Sequence, residues 1–225
     1  RRYMEENQVD VMGMSELGVN WGKVHNVHTL WDRTKKWFPS RRVGVAYNTM
    51  ERISSRAQQG GTATLAVNEV AHRCSKVGFD DSGLGRWSWV LVEGKQRYKT
   101  RIVTTYCPGK PGGPATVNAQ QLAHLKKEPI SQFWDDLARN IAKWQRDGEQ
   151  LILMGDWNED VVGSQLKQWM DGFALKEVIT SLHGNKPPAT YHKGSDAIDG
   201  IYISQSMAAT KGGYLAFGQI PGDHR

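Results

Sequence analysis

The sequence predicts an α/β domain built on mixed β-sheets. Short apolar runs of strand length recur along the chain. Two of them lie close enough to form a hairpin, and the second of these, with a later run, flanks a long amphipathic helix. The 225 residues suit a single domain spanning 1–225, and 39% hydrophobic against 23% charged residues is enough to bury a core.

Val9 to Met14 is apolar and runs into Ser15-Glu16, which predicts a buried strand ending in a polar loop. Val43 to Tyr47 and Thr62 to Val67 read as the next strands, with Gly60-Gly61 turning into the second. Trp87 to Val92 and Arg101 to Tyr106 read as a hairpin about Glu93-Gly94-Lys95. Pro108 to Pro114 holds three prolines and three glycines and must be a loop. Two helices follow. In the second, Ile130, Phe133, Trp134, Leu137, Ile141 and Trp144 share one 3.6-period face, Pro129 suits the first turn and Gly148 the stop. Gln150 to Met154 is an apolar strand that ends at Gly155-Asp156-Trp157-Asn158. Ala197 to Ile203 reads as a strand with Asp199 embedded in it.

Composition excludes several classes. No apolar run approaches the roughly 20 residues that span a bilayer, so no membrane partner is expected. Arg1 to Asp10 is polar, with no signal peptide behind it. Cys74 and Cys107 are too few for a disulfide scaffold or a cysteine-built zinc site, and read as reduced thiols of an intracellular protein. Position 1 is not Met and the chain stops at Asp223-His224-Arg225 without a closing element, so a domain truncated at both ends is expected. The net charge of +6 favours an anionic partner.

The chemistry concentrates at strand ends. Asp156 and Asn158 stand two apart, so on extended chain they point the same way. The carboxylate can take a proton or hold a metal, and the amide can meet a phosphate oxygen or a water. The same pair also suits a polar turn. Asp199 inside an apolar strand needs a partner such as a histidine or a metal. Glu16, Tyr106, Asp223 and His224 are weaker signals one by one.

In order, the segments SE, TY, GDWN, AIDGIY and GDH resemble the signature of the endonuclease/exonuclease/phosphatase superfamily, and they span nearly the whole chain. GGTATLAV, and GLGRWSWVLVEG before TYCPG, are similar to the endonuclease domains of non-LTR retrotransposons. The resemblance implies a DNase I-like four-layer sandwich, with two packed mixed β-sheets flanked by helices. It implies Glu16 and Asp223 as ligands of Mg2+, with Mn2+ as a substitute. Asp156 would orient or deprotonate the attacking water, and Asn158 would hold that water or a phosphate oxygen. His224 would hydrogen-bond the scissile phosphate, with Asp199 on its other nitrogen, and Tyr106 would contact the phosphate or the leaving oxygen. Ser15 stands where the family has Gln, Gly222 where it has Ser, and the family's first and last strands are not represented.

The implied activity is a metal-dependent endonuclease that nicks DNA, fused to a reverse transcriptase in the parent protein and nuclear if it serves a mobile element. A phosphatase of the same fold acting on an inositol phosphate or another small phosphoester is the alternative, and a relative that only binds is a third. Arg33, Lys35, Lys36, Arg41, Arg42, Arg52 and Arg56, interleaved with Trp21, Trp31 and Trp37, suit either a DNA backbone or a solvated helix face. The loop at 108–114 is expected to border the site.

Overall fold

A computed structural model describes residues 1–49, 58–95, 98–184, 186–220 and 222–225. Arg52 and Arg56 therefore lie outside the described residues. The strands are β1 (Val11–Met14), β2 (Arg41–Ala46), β3 (Thr62–Val67), β4 (Cys74–Phe79), β5 (Trp87–Glu93), β6 (Lys99–Tyr106), β7 (Glu149–Asp156), β8 (Leu175–Glu177) and β9 (Asp199–Ser204). The helices are α1 (Arg2–Glu6), α2 (Leu30–Trp37), α3 (Asn68–His72), α4 (Val117–Leu122), α5 (Pro129–Arg146), α6 (Ser164–Asp171) and α7 (Ile179–His183).

Two sheets form. The smaller runs β1-β3-β2 and is antiparallel throughout. The larger runs β4-β5-β6-β7-β9-β8 and is mixed: β6 and β7 are parallel, and every other neighbouring pair is antiparallel. A parallel pair needs a long crossover, and the chain from Cys107 to Gly148, carrying α4 and α5, supplies it.

Side-chain alternation sorts the layers. Outside the small sheet, Met4 of α1 packs with Phe38, Val43, Leu65 and Val67. Between the sheets lie Ala66, Cys74, Val90, Val92 and Ile102. Outside the large sheet, Phe133, Leu137, Ile141 and Trp144 of α5 close over Val103, Leu151 and Leu153. The result is helices, small sheet, large sheet, helices: the four-layer α/β sandwich expected. The α5 boundaries follow local chemistry. Glu128 accepts the backbone N–H groups of Ile130 and Ser131 at 3.1 and 2.8 Å, and Pro129 opens the helix.

The sheets meet through an unusually polar seam near the site end. Thr64 Oγ1 lies 2.9 Å from the Ser88 carbonyl and 2.8 Å from Thr104 Oγ1, all buried. Gly44 lets the backbones approach: a Cβ there would sit 2.6 Å from the Trp89 carbonyl oxygen. Elsewhere in the large sheet, Arg101 makes a bidentate pair with Glu149 at 2.6 and 2.8 Å, its guanidinium sandwiched between Trp89 and Trp144.

Two boundaries differ from the sequence reading in a way that matters. The first strand starts at Val11, because Val9 turns back to bond Met4. The last begins at Asp199, so this carboxylate opens the strand instead of lying within it. The strand β4 escapes the hydrophobic pattern because it is a sheet edge, with Ser75, Lys76 and Val77 all exposed. Cys74 and Cys107 are both free and buried.

Candidate active site

Three neighbouring strands of the large sheet bring the first groups together. In register, Tyr106 pairs with Asp156, and Asp156 pairs with Asp199. Residues directly opposite each other share a face, so a phenol and two carboxylates form one row across β6, β7 and β9. β9 runs antiparallel to β7, so the start of one meets the end of the other. This is why a residue opening β9 joins residues closing β6 and β7.

The small sheet contributes Glu16. It follows β1 with φ +53, a left-handed backbone that side-chain-bearing residues rarely adopt. Two tethers hold this turn. Ser15 Oγ donates to the Thr105 carbonyl at 2.9 Å, and the Leu17 and Gly18 N–H groups donate to Gly61 and Gly60. Tyr106 hydroxyl donates to Glu16 Oε1 at 3.0 Å, linking the two sheets at their mouth. Burial, then the Glu16 and Asp156 charges, push the Tyr106 phenol far above its usual range. It keeps its proton and acts as a donor to Glu16.

Asn158 is the second left-handed residue here, at φ +50. Its backbone N–H donates to Asp156 Oδ1 at 2.9 Å and its side-chain amide to the Cys107 carbonyl at 2.7 Å. Strain of this kind concentrates where the surrounding structure must aim a group. Gly109 packs against the amide, a Cβ there lying 3.4 Å from Asn158 Oδ1, so the loop that begins at Pro108 borders the site; the next residue, Lys110, is exposed.

His224 Nδ1 lies 2.7 Å from Asp199 Oδ2, each side chain a quarter exposed. Nε2 is thus the ring nitrogen left for a ligand. The ligand atoms of Glu16, Asp156 and His224 all fall within 4.8 Å of one another. Asp223 is not in that set. Its carboxylate is exposed and faces His192, whose Nδ1 is 3.9 Å away.

Crowding sets the electrostatics. Burial, then the charges of Asp199 and Glu16, raise Asp156, while the Asn158 N–H and His224 pull against them; the outcome is about 7 against 3.8. Burial works against the charged form of His224, but the hydrogen bond and charge of Asp199, followed by Asp156 and Asp223, outweigh it and lift the ring to about 9. The site therefore joins a proton-hungry carboxylate to an imidazolium.

The basic and aromatic segment before β2 divides. Arg41 is buried with its guanidinium 4.3 Å over the Trp31 ring and is withdrawn from any nucleic acid, while Trp31 itself stays exposed. Arg33 contacts His28, while Lys35, Lys36 and Arg42 stay exposed. Sequence reasoning missed Thr190 and Tyr191, which sit in ATYHKG, where no periodicity or motif marks them.

The sequence matches the Endonuclease/Exonuclease/phosphatase family over residues 1–224. No relative was found among curated proteins. The human Nocturnin catalytic domain with bound sulfate superposes with a TM-score of 0.59 at 16% identity, over 91% of this chain and 72% of that one. The 3′ phosphatase NExo from Neisseria, solved with a product DNA hairpin, gives 0.60 at 16% identity, over 92% and 80%. A mannosyl-6-phosphatase from Bacteroides thetaiotaomicron gives 0.54 at 15% identity, over 91% and 74%. Among the described residues no helix is long and apolar enough to cross a membrane. The chain belongs to the endonuclease/exonuclease/phosphatase family, whose enzymes hydrolyse phosphoester bonds, commonly with divalent metals.

Proposed function

We propose that the chain is a divalent-metal-dependent phosphodiesterase that nicks DNA. The observation that carries this reading is the convergence of Glu16, Asp156 and His224 within 4.8 Å, drawn from both sheets and the last residues of the chain. Burial first, then Asp199, with Glu16 adding less, raise Asp156 to about 7, and a cation beside these carboxylates would offset that cost. Oxygen donors suit a hard ion such as Mg2+, with Mn2+ as a substitute. Glu16 and Asp156 would hold it, while Asp223, turned toward His192, stands outside that set; a cation there would supply charge neutralisation on the phosphate oxygens.

The protein groups divide the remaining work. Asp156 accepts a proton from the attacking water, and Asn158 helps to hold that water or a phosphate oxygen. His224, kept protonated by Asp199, donates to a non-bridging or leaving oxygen as negative charge gathers there. Tyr106 fixes Glu16 and stands beside the phosphate.

Several observations support a polymeric anion over a small ester. Glu16 is exposed, so the site opens to solvent on that side and admits an extended substrate. The chain carries +6, the exposed Lys110 follows Gly109 in the loop bordering the site, and a structural neighbour was solved with a DNA hairpin. The retrotransposon-like segments around Gly60 and Trp87 support a mobile-element setting, with a reverse transcriptase in the parent protein and a nuclear location.

Nicking of supercoiled plasmid with Mg2+ tests the proposal. Asp156→Asn should lower the rate by about 10²–10³. Nicking that survives the substitution rejects the mechanism. No nicking, with phosphate released from an inositol phosphate, moves the assignment to the small-phosphoester reading.

A further inference from the structure

The groups that hold Asp199 and His224 against each other come from one short segment, Thr190 to His192, outside every strand and helix. Thr190 is fully buried, and its Oγ1 accepts two backbone N–H groups, Ile198 at 2.9 Å and Asp199 at 3.0 Å. Its N–H donates to the Asp196 carbonyl at 3.1 Å, and its carbonyl accepts the Arg225 N–H at 3.0 Å. The next residue, Tyr191, forms a β-bridge with His224, and their ring centroids are 5.1 Å apart. His192 N–H donates to the Asp223 carbonyl at 3.0 Å.

We propose that Thr190 is a positioning residue that sets the Asp199–His224 pair, its hydroxyl aiming Asp199 while its carbonyl anchors the residue after His224. One side of Thr190 thus grips the first member of the pair, and the other side grips the backbone beside the second. A loop anchored only at one of them would let the 2.7 Å contact open. A hydroxyl has two lone pairs, enough for both N–H groups at once, and Thr offers them with a side chain of restricted χ1. Replacing it by Val keeps the shape and leaves two partly buried donors without that acceptor.

The proposal rests on the hydrolytic reading of the site, so its test has two independent arms. In metal-free protein, proton NMR should show the His224 Nδ1–H signal far downfield in the parent chain and in Thr190→Ser. In Thr190→Val it should move upfield or broaden beyond detection. With bis(p-nitrophenyl) phosphate, Thr190→Val should lose roughly tenfold or more in kcat with KM little changed, because a displaced catalytic group weakens the transition state more than substrate binding. Thr190→Ser should recover most of that loss.

An unmoved His224 signal in Thr190→Val overturns the proposal, whatever happens to thermal stability. So does a kcat equal to the parent's. If Thr190→Val does not fold, Thr190→Cys, with a weaker acceptor of similar size, must give a shifted signal and a kcat below Thr190→Ser; equality with Thr190→Ser overturns it too. Absence of any hydrolysis by the parent chain, with the NMR difference intact, rejects the hydrolytic reading and leaves the positioning role standing.

Discussion

Asp199→Asn removes the charge that keeps His224 protonated. In the parent chain the ring titrates at about 9 instead of 6.5. The sign follows directly: the fold favours the charged ring, so the pair adds stability that is complete below 6.5 and fades as pH rises through about 9. Both side chains are a quarter exposed, so solvent already weakens their attraction. The charges that favour the imidazolium are those of Asp199 from β9, Asp156 from β7 and, more weakly, Asp223 beside it in the chain. Without the Asp199 charge, burial opposes the imidazolium and only the two remaining carboxylates favour it. A ring returned to about 6.5 is charged in roughly one molecule in ten at about pH 7.5. Loss of charge alone then costs about tenfold in rate, and loss of orientation as well takes the defect toward 10²–10³. Nitrogen NMR titration of metal-free protein should place the parent midpoint near 9 and the variant clearly below it. Plasmid nicking near neutral pH should fall by at least tenfold. A variant whose His224 midpoint stays where the parent's is, or which nicks at the parent rate, refutes the reasoning.

Asp156 sits above its ordinary value, so in metal-free protein it opposes folding increasingly as pH rises from about 4 through about 7. Asp156→Asn should therefore melt higher than the parent above neutrality without metal, while losing activity; calorimetry showing a lower Tm contradicts the crowding argument. A cation held by Glu16 and Asp156 should stabilise the fold. At about ten times its dissociation constant it adds roughly 1.4 kcal/mol, or about 3–5 °C, and Glu16→Gln should remove most of that gain. Lys110→Ala should reduce the salt slope of DNA binding by about 0.9, and an unchanged slope takes this lysine out of the phosphate contacts. Gly155→Ala would push a Cβ to 2.1 Å from the Thr105 carbonyl oxygen, so β6 and β7 must part beside the catalytic row; a loss of about 1–3 kcal/mol by denaturant titration is expected, and no loss would mean the strands move apart freely.

The site was readable in sequence to the extent that it is written in strand ends. Apolar runs of strand length mark the strands of Tyr106 and Asp156, and a polar group that follows such a run must emerge at a sheet's mouth. The pairing order β6-β7-β9 has no such signature, because nothing in residues 149–156 says which neighbour they take. Edge strand β4 and three-residue β8 carry too little buried surface to imprint a pattern. Tyr106 changes meaning for the same reason: its phenol is committed to a glutamate 90 residues away, which no local motif reports. Thr190 is the limiting case. Motif residues are recognisable because their chemistry belongs to their own side chains. Thr190 matters because its hydroxyl meets the backbone N–H groups of Ile198 and Asp199, which every residue but proline possesses. Residues that hold a site in place through main-chain contacts are therefore invisible until the fold is known. They are the positions where a conservative-looking substitution should lower kcat without touching any group that meets the substrate.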